Sequence, residues 1–320
     1  ATWTGGLSAP ETPAPTPSTR PHPKPAQSVP SPAAPRPSRR GVAVYTDISD
    51  EELETFLNAY DVGAATAFKG VAEGVSNSNF LLETEKGRYF LTVYEAATPA
   101  KDLPFFLGLL TWLCDHGFPS AAPIPTRTGE VLQTLRGKPA AIVSFLPGLS
   151  VRRPGIEHCR EAGEGLAWLH AAGRGFTGRR ENGLGQAVWA PMFDDLGLAA
   201  EANKLKPGLA RAIAADLADL EAAWPANTPG GLPRGVIHAD FFPDNVFFTG
   251  GRFAGAIDFY YACEDFLAYD VAVALNAWCF EPDGSFNVTK AGAFLAGYRK
   301  RREISAEEQA ALPLLARGAA

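Results

Sequence analysis

Cysteine is scarce in this chain. Cys114, Cys159, Cys263 and Cys279 are the 4 cysteines in 320 residues; they lie far apart and form no C-x-x-C pair. That spacing offers no thiolate set to zinc and suits a reducing compartment, so a cytoplasmic location is expected. Long apolar runs are missing too. None approaches the roughly 20 residues that a membrane-spanning helix needs, and no membrane partner is expected. A surplus of positive charge is also lacking. The net charge is −6 with no basic stripe, which argues against nucleic acid as a partner. Apolar residues, by contrast, are plentiful. Hydrophobic residues make up 46% of 320 positions, enough for one two-lobed domain or two small domains with a sizeable core.

The first 40 residues depart from this composition. They hold 11 of the 27 prolines and carry Arg20, Lys24, Arg36, Arg39 and Arg40 against the single acidic Glu11. Residues 1–41 read as a disordered, Pro-rich extension, because such a segment cannot bury enough apolar surface to fold. The prolines prevent the amphipathic pattern of a transit peptide. A functional tail and a translated upstream extension both remain open, and Ala1 in place of Met fits an incomplete or processed start.

The chemistry concentrates in residues 236 to 259. His238, Asp240 and Asn245 form an H-x-D-x-x-x-x-N arrangement, and Asp258 follows one hairpin later. Val236 to His238 is apolar and reads as a strand end. Asp240 to Asp244 reads as a loop broken by Pro243. Val246 to Phe248 and Phe253 to Ile257 read as strands joined across Thr249-Gly250-Gly251-Arg252. A hairpin brings its ends together, so Asn245 and Asp258 should meet with two oxygen ligands suited to Mg²⁺. Asp240, on the same rim, is placed to accept the proton of an acceptor hydroxyl. A lone Asp or Asn beside a turn is usually a turn former. The three together, in this strand context, match the set that phosphoryl transfer from ATP requires. His238 reads as a brace for the loop.

Elsewhere the pattern is structural. Ser49 and Glu52 form a capping box, followed by Leu53, Phe56, Leu57 and Tyr60 at helical spacing. Residues 78–84 and 89–95 read as a hairpin, 104–116 as a helix, and Val131 to Leu135 with Ala140 to Phe145 as a second hairpin. Gly70 to Asn79 is rich in small residues, which would let backbone N–H groups of Gly74, Ser76, Asn77 and Ser78 approach ATP phosphates. Cys159, Ala162, Leu166 and Leu169 form a helical stripe closed by Gly173, and 194–223 fits two helices broken near Pro207-Gly208.

His238-Ala-Asp-Phe-Phe-Pro-Asp-Asn245 with Ile257-Asp-Phe259 resembles the aminoglycoside phosphotransferase and choline kinase superfamily. Val44-Tyr-Thr-Asp47, Glu73 to Leu82, Asp102 to Gly108 and Tyr269 to Glu281 are similar to its bacterial homoserine kinase branch. The resemblance covers about residues 42 to 320. It implies an α+β, protein-kinase-like two-lobed fold. Residues 42–146 would be a small antiparallel sheet lobe that binds ATP, and 147–320 a mostly helical catalytic lobe. It implies ATP and Mg²⁺ as cofactors and L-homoserine as the phosphate acceptor in threonine biosynthesis. Another small-molecule kinase of the superfamily, or a non-catalytic nucleotide-binding protein, are the alternatives.

The resemblance also assigns residues. Ser144, Phe145 and Leu146 at the lobe junction would offer main-chain groups to adenine, and Asp270 would anchor the catalytic loop from behind. Tyr260, Tyr261, Glu264, Asp265, Asn276 and Trp278 are candidates to line the acceptor pocket. Thr92 stands where related kinases carry Lys or Arg, and Lys101 is the candidate substitute. The family usually continues with a further helical segment after Ala320, so a C-terminal truncation is expected.

Overall fold

The computed structural model describes residues 46–71, 77–96, 98–225 and 231–320. The Pro-rich residues 1–41, and Gly74 and Ser76, lie outside them. Helix α1 (Asp50–Leu57) begins at the Ser49 capping box, where Ser49 Oγ accepts from the Glu52 N–H and Glu52 accepts from the Ser49 N–H. Its Leu53, Phe56 and Leu57 are buried together with Tyr60.

These side chains cover one face of a five-stranded antiparallel sheet. Its strands are β1 (Ala65–Val71), β2 (Asn77–Thr84), β3 (Gly87–Tyr94), β4 (Gln133–Leu135) and β5 (Lys138–Ser144), in the order β1-β2-β3-β5-β4. Successive strand residues point to opposite faces. Phe80 and Leu82 therefore join Leu91, Val93, Ala140 and Ile142 against α1, and Asn77, Asn79, Thr92 and Tyr94 take the other face. Strand β1 was not anticipated. Its sequence lacks an apolar stripe because it is an edge strand with largely exposed residues. Helix α2 (Leu103–Asp115) follows a short 3₁₀ turn; six of its residues are buried, and they join the main core.

The large lobe opens with α3 (Ile156–Ala172), whose Cys159, Ala162, Leu166 and Leu169 are fully buried. Helix α4 (Gln186–Asp195) was not anticipated; α5 (Leu198–Leu205) and α6 (Leu209–Ala223) are the two helices expected within 194–223, broken at Pro207-Gly208. Gly197, in the left-handed region at φ 61°, separates α4 from α5. Strand β6 (Arg234–Ile237) leads to the hairpin of β7 (Val246–Thr249) and β8 (Arg252–Ala256), turned by Gly250 and Gly251 at positive φ as a two-residue hairpin loop requires. Strand β9 (Cys263–Phe266) returns to pair with β6. Helices α7 (Leu267–Cys279), α8 (Val288–Tyr298) and α9 (Ala306–Gly318) complete the lobe. Helix α8 crosses α3 so closely that a Cβ on Gly297 would lie 1.9 Å from the Arg160 carbonyl oxygen.

Candidate active site

Strand β6 ends at Ile237, and the next three residues turn into the cleft. The turn is possible because Ala239 adopts φ 62°, a conformation that costs a non-glycine residue energy and needs support. Asp270, fully buried near the start of α7, supplies it: its carboxylate accepts the His238 N–H at 2.8 Å and the Ala239 N–H at 2.9 Å. His238 is also fully buried. Its Nδ1 accepts the Asp240 N–H at 3.3 Å, and its Nε2–H donates to the Ile257 carbonyl at 3.0 Å. One imidazole thus fixes the loop and the strand end that precedes Asp258.

The support continues behind Asp270. His170 on α3 bonds its carboxylate at 3.0 Å, and the other ring nitrogen of His170 bonds the Tyr298 hydroxyl at 2.6 Å. Arg302 donates to that hydroxyl and to Glu308, whose second oxygen accepts the N–H of Ser305, the N-cap of α9. An unbroken polar chain runs from the His238–Asp240 loop to α9.

Burial holds the His238 pKa below its ordinary 6.5. Burial pushes Asp270 up, but the hydrogen bond and charge of His170, the charge of His238 and the loop N–H groups outweigh it, and its pKa lies below 3.8. Both shifts act in the same direction. Unfolding below the ordinary histidine value takes up a proton that folded His238 refuses, so this stabilisation is complete above about pH 6.5 and is lost as pH falls. Asp270 adds a further loss at more acid pH, below the ordinary carboxylate value. Asp240 and Asp258, whose pKa values are raised, act in the opposite sense over this range, so His238 is read by difference: the advantage in thermal midpoint of the wild type over His238→Gln should hold near about pH 8 and shrink towards about pH 5. An advantage that does not change with pH would remove His238 as its source.

The rim carries the remaining carboxylates. Asn245 Nδ2 donates to the Asp240 carbonyl and to Asp240 Oδ2, both at 2.9 Å, which leaves Asn245 Oδ1 on the opposite side of the amide. The Asn245 carbonyl accepts the Ile257 N–H at 3.0 Å, placing Asn245 beside Asp258 across the hairpin ends. Asp258 sits in the left-handed region at φ 63° and is open to solvent. Burial and the Asp258 charge raise the Asp240 pKa to about 6. Desolvation of its surroundings raises that of Asp258 as well. Asn245 Oδ1 and the Asp258 carboxylate are hard oxygen donors on one rim, a set that fits Mg²⁺ arriving on a nucleotide.

The lobe junction packs directly on this hairpin. Leu149 and Phe248 exchange two backbone hydrogen bonds, at 3.1 and 3.0 Å. Gly255 lies under Leu146, where a Cβ would come within 2.9 Å of its side chain. Ser144 is pinned to Ala122 through both its N–H and its hydroxyl, and the Phe145 ring stacks on Phe90 with Arg88 4.4 Å above it. On the sheet side, Asn77 and Ser78 are buried and their side chains are engaged: Asn77 Oδ1 accepts from the Glu95 N–H and Thr98, and Ser78 donates to Glu95. Tyr260 meets Tyr94 and Phe106 edge-on.

Several expected pocket residues are placed otherwise. Trp278 is 1% exposed, and its indole N–H donates to the Phe241 carbonyl at 2.7 Å, so it supports the loop from the core. Asn276 donates to the Ala316 carbonyl and ties α7 to α9. Their helical segment is apolar enough to be core, which is why both face inward. Glu264 is paired with Arg179, and Asp265 is bonded to Arg234 and Asn182. Tyr261 remains exposed at the rim. Thr92 bonds Asn79, and Lys101 is exposed in the turn before α2.

Residues 67–304 match the phosphotransferase enzyme family. This chain belongs to that family. The phosphotransferase is 67% identical over 280 residues to the homoserine kinase of Caulobacter vibrioides, covering 87% of this chain and 86% of that one. It is 57% identical over 279 residues to the homoserine kinase of Xanthobacter autotrophicus, covering 87% and 85%. Solved structures share the fold at lower identity. An aminoglycoside phosphotransferase from Alicyclobacillus acidocaldarius aligns with TM-score 0.64 and 20% identity over 88% of this chain and 86% of that one. An amicoumacin kinase aligns with TM-score 0.63 and 17% identity over 82% and 81%. The two-lobed, kinase-like α+β architecture expected of the phosphotransferase is thereby shown. No helix among its described residues is long and apolar enough to cross a membrane.

Proposed function

We propose that this phosphotransferase is an ATP-dependent homoserine kinase of the cytoplasm, forming O-phosphohomoserine on the route to threonine. The observation that carries the reading is its similarity to homoserine kinases along almost the whole catalytic unit. The site geometry supports it. Asp240 orients the acceptor hydroxyl and takes its proton, with a raised pKa that suits a base near neutrality. Asn245 and Asp258 would hold Mg²⁺. When bound, the ion supplies charge neutralisation on the phosphate oxygens. The main chain of Ser144 to Leu146 would receive adenine, and the backbone N–H groups of Asn77 and Ser78 would approach the phosphates. Tyr260 and Tyr261 are the remaining candidates beside the acceptor.

ADP release from MgATP tests this. L-homoserine is compared with choline, methylthioribose, L-serine and an aminoglycoside. Homoserine should exceed each of the others in kcat/KM by at least about 10²-fold, the discrimination available to a site that pairs a substrate's polar groups. Preference for another acceptor would keep the phosphotransferase and reject homoserine. No release from folded protein would reject catalysis.

A further inference from the structure

The cleft face of the small sheet must meet a triphosphate somewhere between the lobe junction and Asp258. Thr92, central on that face, brings no charge. The strand register shows what stands there instead. Asn79 faces Thr92, and Thr92 faces Ala141, so the three share one face across β2, β3 and β5. Two residues earlier on β2, Asn77 pairs with Tyr94, whose ring meets Tyr260 edge-on, itself two residues beyond Asp258. Two strand residues advance about 7 Å. In the other direction β3 and β5 lead to the Tyr89–Ser144 pair at the junction. Asn79 therefore lies between the carboxylate rim and the segment proposed for adenine.

Its orientation is fixed. The Thr92 hydroxyl, on a residue 6% exposed, donates to Asn79 Oδ1 at 2.8 Å. That bond ties down the amide oxygen and leaves both Nδ2 hydrogens, for which no hydrogen-bond partner stands among the described residues. Asn79 is half-buried, so the amide remains reachable. On this face Lys69 stands opposite Leu81, two residues beyond Asn79, and Arg88 lies over the Phe145 ring.

We propose that Asn79, oriented by Thr92, donates its amide N–H groups to the phosphate chain of ATP and serves as the neutral substitute for a phosphate-binding cation. The assignment rests on the ATP reading above. Hydrogen bonds from an amide to an ionised phosphate are charge-assisted and short. They hold the chain without adding a positive charge opposite the metal rim. Asn79 is then a binding residue, and Thr92 a positioning residue that acts through it.

Calorimetric binding of MgATP, MgADP and adenosine to the whole chain separates this role from a structural one. Asn79→Ala should weaken MgATP and MgADP by about tenfold to hundredfold, the range for a hydrogen bond to a charged group. Adenosine affinity and the KM for homoserine should change less than about twofold. Thr92→Val, which keeps shape but loses the hydroxyl, should weaken MgATP by about threefold to tenfold with the same selectivity. Equal losses for adenosine and MgATP, or unchanged MgATP binding, would overturn the assignment. Should Asn79→Ala fail to fold, the near-isosteric Asn79→Asp decides: it should weaken MgATP more than adenosine, and parity would overturn the proposal. Wild-type protein that binds no MgATP would refute the ATP reading itself, so the two failures are distinguishable.

Discussion

Asp240→Asn should lower kcat by at least about 10²-fold while MgATP still binds. The substitution keeps the shape and hydrogen-bonding reach of the side chain and removes its ability to take a proton. The loop would keep its course, because the bonds that set it use the Asp240 N–H on His238, the Asp240 carbonyl on Asn245, and the His238 and Ala239 N–H groups on Asp270. One further bond, from Asn245 Nδ2 to Asp240 Oδ2, does use the carboxylate, and the amide oxygen of asparagine can still accept it. Steady-state kcat with homoserine, beside the MgATP dissociation constant, is the measurement. A fall in kcat smaller than about tenfold, with folding intact, would leave the proton without its assigned acceptor. Loss of MgATP binding in parallel would point to a structural role instead.

Asp258→Ala should cost more, about 10³-fold or greater in Mg²⁺-dependent turnover, since a metal that stabilises phosphoryl charge contributes several kcal/mol. The left-handed backbone at Asp258 complicates the experiment, because alanine tolerates φ 63° less well than aspartate. Asp258→Asn avoids that difficulty, since asparagine accepts the conformation and removes only the charge. Turnover of both variants titrated with Mg²⁺, alongside their thermal midpoints, separates lost metal affinity from lost stability. Full activity in Asp258→Asn at the wild-type Mg²⁺ requirement would sink the assignment of Asp258 as a ligand.

Much of this arrangement could be read from the chain because it is local. The ends of a two-residue hairpin must meet, so Asn245 and Asp258 were bound to be neighbours once Gly250-Gly251 was taken as the turn. The Ser49 capping box and the Cys159 to Leu169 stripe depend on spacing along one helix and were legible for the same reason. What escaped depends on distant partners. Strand β9 is recognisable only beside β6, and edge strand β1 has no core face to pattern it. Trp278 and Asn276 were pocket candidates because they fall in the family-like Tyr269 to Glu281 segment; their partners are the Phe241 and Ala316 carbonyls, 37 and 40 residues away. Asn79 did carry a signal. Asn77 and Asn79 alternate with Ser78 and Phe80, which marks a polar face on β2, but only the register shows that this face looks onto the cleft.

The polar chain behind Asp270 has a consequence for inheritance. Each link, from the loop amides through His170 and Tyr298 to Arg302 and Glu308, satisfies its neighbour, and of these side chains only that of Arg302 is more than marginally exposed. No link can change its donor or acceptor character alone without stranding the next. Residues as far apart in sequence as 170, 270 and 308 must therefore vary together or not at all. The tail helix is thus under the same constraint as the loop that carries Asp240.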